Sequence, residues 1–168
     1  MRQRIALLVC GLAAGALLSA GAALGDRPTK EPSPLAPVSF PAGDLCTFPV
    51  TWEAVVSDGF TITFVDSEGN FRWVFGAGHL VVRITNDSTG ESIQRNISGP
   101  GKITENADGT LTLEGGGPVL LGCLPTDTPA STMLLTKGRV VLRIDPSTGQ
   151  LTLVSHLGTS EDLCASLA

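Results

Sequence analysis

His79 and His156 are the two histidines of the sequence, and so its two ordinary candidates for a general base near neutral pH. A Ser, Thr or Cys nucleophile needs such a base within hydrogen-bond reach. Alternation sets His79 on the face of Val81 and Arg83, and His156 on the face of Thr152 and Val154, both expected to be wet. No G-x-S-x-G elbow accompanies them. Past residue 25 there is no C-x-x-C and no H-x-x-x-H, and the acid-rich turns lack the spacing of a calcium loop. Acids of the kind that cleave glycosides are scattered, and nothing selects a pair. The residues therefore predict no catalytic group, no metal site and no cofactor.

Candidates for binding are better defined. Arg95 shares its alternation face with Ile93 and Ile97, a face that should turn inward. A buried guanidinium requires a carboxylate. Glu105 qualifies, because it shares the face of Ile103 across the corner Gly99, Pro100 and Gly101. Such a pair would anchor an anionic ligand inside a barrel, whereas a register change at a bulge would turn Arg95 to solvent. Trp52 and Trp73, with Phe60, Phe64, Phe71 and Phe75, would line an apolar pocket or simply fill the core.

Cys46, Cys123 and Cys164 allow three single-bridge pairings, each leaving one thiol. Cys46 with Cys164 is favoured, since both sit in an Asp-Leu-Cys phrase at the two ends of the folded region, and domain termini often lie close together. In the chain-entropy picture a loop that long is worth about 5 kcal/mol. Cys123 lies in the apolar run of residues 119–124 and reads as a buried, inert thiol.

The elements that must position these side chains are strands. From Val50 to Val154 apolar residues recur at period two, as in Phe60, Ile62 and Phe64, then Leu80, Val82 and Ile84, then Val140, Leu142 and Ile144. Turn chemistry separates the runs: each of Gly69, Gly90, Gly109 and Gly149 falls where a tight turn wants positive φ. Such short connections join antiparallel neighbours. The pattern predicts nine or ten short strands in a meander, closed into a small β-barrel or a two-layer sandwich. Thr159 or Ser160 would cap a short C-terminal helical turn.

Residues 1–25 read as a signal peptide. Arg2 and Arg4 precede an apolar run over residues 5–18, followed by the small-residue cleavage signal Ala23, Leu24 and Gly25. Cys10 lies within that run. Residues 26–43 carry five prolines and read as an extended linker, leaving residues 44–168 as one all-β domain. The full chain has 11 basic and 16 acidic residues, and loss of Arg2 and Arg4 with the leader takes its net charge from −5 to −7. An acidic surface repels phosphate backbones and anionic headgroups, so neither nucleic acid nor membrane is an expected partner.

The run Asn96, Ile97, Ser98, Gly99, Pro100 and Gly101, the turn Glu105 to Gly109, and the two Asp-Leu-Cys phrases resemble a family of small secreted actinobacterial β-barrel-like proteins. The likeness spans most of residues 44–168 and rests on turn and corner residues. It implies a secreted β-barrel-like fold and a disulfide, and no activity. The reading that follows is an extracellular, non-enzymatic binding module for an unknown partner or a small apolar ligand. The alternative is a small-barrel isomerase or cyclase, or a lipocalin-like binder, with an internal pocket.

Overall fold

Period-two alternation becomes one antiparallel sheet in the computed structural model, which describes residues 28–168; the leader assigned to residues 1–25 lies outside them. The elements are β1 (Thr29–Pro32), β2 (Val38–Phe40), β3 (Val50–Val65), β4 (Phe71–Asn86), β5 (Ser92–Asn96), β6 (Gly101–Glu105), β7 (Leu111–Cys123), β8 (Thr132–Ile144), β9 (Leu151–Asp162) and α1 (Leu163–Ser166). The sheet runs β1-β3-β4-β6-β7-β8-β9, with β2 also on β3 and β5 also on β4, and its path does not close.

Nine strands form, within the expected nine or ten, but several are longer than the separate runs suggest. Val50 to Val56 and Phe60 to Phe64 merge into the 16-residue β3, and the next two runs merge into the 16-residue β4. Glycines at the junctions bend these strands without ending them. Gly59 pairs with Gly78, and Gly117, Gly138 and Gly158 form a second cross-strand row. At Gly158, with φ +139°, a Cβ would sit 1.9 Å from the Lys137 carbonyl oxygen, so only glycine allows the backbones to approach so closely.

Residues 26–43 are not a free spacer over their described part. Thr29–Pro32 and Val38–Phe40 pair antiparallel with β3, and the Ser33 amide donates to the Gly59 carbonyl. Proline is tolerated there because β1 is an edge strand whose missing N–H costs no ladder bond.

Bending divides the apolar interior in two. One cluster joins Trp52, Val82 and Ile84 to Leu120, Met133 and Leu135, and α1 closes it with Leu163 and Leu167. The other joins Ile103, Leu113 and Leu142 to Val119, Leu121 and Cys123. The run 119–123 is therefore buried on both sides, which explains why it is continuously apolar rather than alternating. The Cys46–Cys164 disulfide, with its Cα atoms 5.5 Å apart, ties the segment after β2 to α1. The helix cap is Asp162, whose carboxylate accepts from the Ala165 amide at 3.0 Å; Thr159 and Ser160, the expected caps, belong to β9.

Candidate functional site

Arg95 does face inward, directly opposite Val82, but its partner is not Glu105. Its Nε donates to both carboxylate oxygens of Glu161 on β9, at 3.0 and 3.2 Å, and Nη2 donates to one of them as well. Ser166 Oγ donates to the same carboxylate at 3.0 Å. The hydrogen bonds from Arg95 hold the Glu161 carboxyl below its ordinary value. Both side chains remain about a third exposed, at 28% and 34%. Glu105 is fully displaced from this pair: β5 and β6 lie end to end along β4, because the Gly99 corner carries the chain onward instead of folding it back. Glu105 stands exposed beyond Trp73, at the far end of β4 from Arg95.

That corner is built for packing. Asn96 Oδ1 accepts from the Ser98 amide, Ser98 Oγ bonds the Leu80 backbone, and the Gly99 amide donates to the Pro118 carbonyl. A Cβ on Gly99 would lie 2.4 Å from the Gly116 carbonyl oxygen. Beside it a cleft lined by Ile97, Pro100, Leu113, Val119 and Leu120 has room for about one water molecule.

The remaining candidates separate. Trp52 is 1% exposed in the first cluster, with its ring 4.7 Å from that of Phe40 and its Nε1 donating to Met133 Sδ at 3.3 Å. Gly122 makes room for it, since a Cβ there would stand 2.6 Å from the indole. His79 is exposed on the outer face, opposite Asp58. His156 departs from expectation: a bulge opposite Val141 and Leu142 shifts the parity of β9 and sets His156 against the buried Val140. Its Nε2 is buried and unpartnered among the described residues. Cys123 is fully buried and unbridged, and burial pushes its thiol up to about 11. Among the described residues no three His, Cys, Asp or Glu side chains gather as metal ligands.

Trp73 lies elsewhere, with the other aromatics. On β4 the inner face carries Val74, Leu80, Val82 and Ile84, and Trp73 and Phe75 occupy the opposite, outer face; Phe71 lies past a bulge, opposite Val65, which reverses its face. Register adds Phe60, Ile62 and Phe64 from β3 to the outer face. None of these six belongs to either core cluster, and all are half-buried. This corrects the expectation that the aromatics fill the core: of that set only Trp52 does. The Trp73 and Phe64 rings stack at 3.6 Å. Lys102 on β6 places Nζ 4.9 Å from the Trp73 ring, and Lys30 on β1 places Nζ 4.0 Å from the Phe60 ring.

The two lysines were invisible as site residues from sequence. Lys30 sits in a stretch that reads as linker, and nothing in the sequence pattern singles out Lys102; only pairing register brings them to the rims of one aromatic face. Each described arginine lies within 4 Å of a carboxylate: Arg72 near Asp66, Arg83 near Glu53, Arg95 near Glu161, Arg139 near Glu114 and Arg143 near Asp108. Lys30 and Lys102 have no such partner among the described residues. Compared with protein-family models, with curated proteins and with solved structures, the chain matches none.

Proposed function

We propose that this protein is an exported, non-enzymatic binding module whose contact surface is the outer aromatic face of β3 and β4. The observation that carries the reading is that five large apolar side chains, Phe60, Ile62, Phe64, Trp73 and Phe75, stand outside both cores on one outer sheet face rimmed by lysines. A contiguous apolar patch with a polar rim is the usual mark of an interaction surface. The cleft beside the Gly99 corner is too small for a drug-sized ligand. Export is supported by the leader-like residues 1–25 and by the disulfide, and no helix among the described residues is long and apolar enough to cross a membrane. We read the bent, open sheet as a sandwich, with the Arg95–Glu161 pair holding β5 to β9 across its open side.

The dye anilinonaphthalene sulfonate, an apolar anion, tests the face directly. The folded protein should bind it and enhance its fluorescence. The double variant Phe64→Ser with Trp73→Ser should lose most of that signal while circular dichroism shows the same fold. Dye uptake only on unfolding, or equal uptake by the folded variant, would remove the contact-face reading.

A further inference from the structure

The rims of the aromatic face are related by one straight line of residues. Lys30 pairs with Ile62, Ile62 with Phe75, and Phe75 with Lys102, so the four side chains form a single cross-strand row on the outer face. Neighbouring strands are about 4.8 Å apart, which sets the two lysine stems about 14 Å from each other with an apolar floor between them. Beyond Lys102 the row continues to Glu114, but that carboxylate already accepts from Arg139 at 2.8 Å. Each ammonium leans over an aromatic ring, which keeps the charge at the surface while the stem covers apolar area. In a chain of net charge −5, these are cations with no described acid of their own.

An extended peptide advances about 3.4 Å per residue, and alternate side chains point the same way. Residues four apart on one strand therefore lie on one face, about 14 Å apart, with a single same-facing residue midway. We propose that the row Lys30, Ile62, Phe75 and Lys102 takes an extended partner segment of the form acid–x–apolar–x–acid, laid across the strands. Its two carboxylates meet the two lysines, and its middle side chain rests on Ile62 and Phe75 between the flanking rings of Phe60 and Trp73. The partner is thus an acidic protein segment. This inference rests on the outer face being the contact surface.

Synthetic peptides supply the test. One carries glutamate at its second and sixth positions and phenylalanine at its fourth; a second has its glutamates two apart; a third replaces both glutamates with lysine. The first should bind the folded protein most tightly, and added salt should weaken it. Lys30→Glu and Lys102→Glu should each reduce its affinity about five- to tenfold, since each reversal replaces an exposed attraction with a repulsion. Neither lysine is buried, so circular dichroism of both variants should match that of the parent. Equal binding of the three peptides, or variants that bind like the parent, would overturn the proposal. If the dye still binds the aromatic face but no acidic peptide does, this inference alone fails; if neither binds, the contact-face reading fails with it.

Discussion

At the scale of single residues, Arg95 shows how far alternation reaches. Period two correctly turns the side chain inward, because direction along a strand is a local property. Its partner is a property of the fold: Glu161 lies 66 residues away on a strand that meets β5 only across the interior. A pair about a third exposed is screened, so its worth falls between that of a surface bridge and that of a buried one. Arg95→Ala should lower stability by about 1–2 kcal/mol at neutral pH, and Glu105→Ala should stay within about 0.5 kcal/mol of the parent. Glu161 is held below its ordinary 4.5, so its contribution is present above that value and disappears as pH falls through the lowered one. Urea midpoints at neutral pH and near pH 3 should therefore show the Arg95→Ala deficit shrinking in acid. A deficit from Glu105→Ala equal to that from Arg95→Ala would contradict the assignment.

At the scale of elements, the decisive features are bends rather than breaks. Glycine in a strand interior reads locally as a bulge or a corner, and the sequence pattern accordingly divides β3 and β4 into shorter runs. The structure keeps both strands whole, with Gly59 of β3 meeting Gly78 of β4 in register, and Gly138 of β8 meets Gly158 of β9 in the same way. Gly158→Ala should cost at least about 3 kcal/mol or abolish folding, since its Cβ meets a carbonyl oxygen at 1.9 Å in a left-handed backbone. Gly116→Ala, with open space around the added carbon, should remain within about 1 kcal/mol. Thermal or urea unfolding of the two variants side by side checks this, and equal losses would show that the bend tolerates a side chain. The same register accounts for the His156 face: one extra residue in β9 reverses every side chain beyond it.

At the scale of the whole molecule, the chain is tied end to end by a bridge across 118 residues of sequence. Cys46→Ser should cost about 2–5 kcal/mol, measured as the shift in denaturation midpoint. Cys123, fully buried with its thiol pushed up to about 11, should resist alkylation until the protein unfolds. Rapid labelling of Cys123 in the folded state would contradict its placement in the second cluster. The all-β class, the antiparallel turns and the Cys46–Cys164 bridge were legible in the amino-acid sequence, because period-two patterning, turn residues and matching cysteine phrases are local signals. Three features belonged to tertiary structure alone: the pairing of Thr29–Pro32 and Val38–Phe40 with β3, the choice of Glu161 over Glu105, and the placing of Trp73 and its neighbouring aromatics, though not Trp52, outside the core. Each depends on which strands lie side by side and on where bends reverse or redirect a face. Register is set by burial summed over the whole sheet, so no window of sequence contains it.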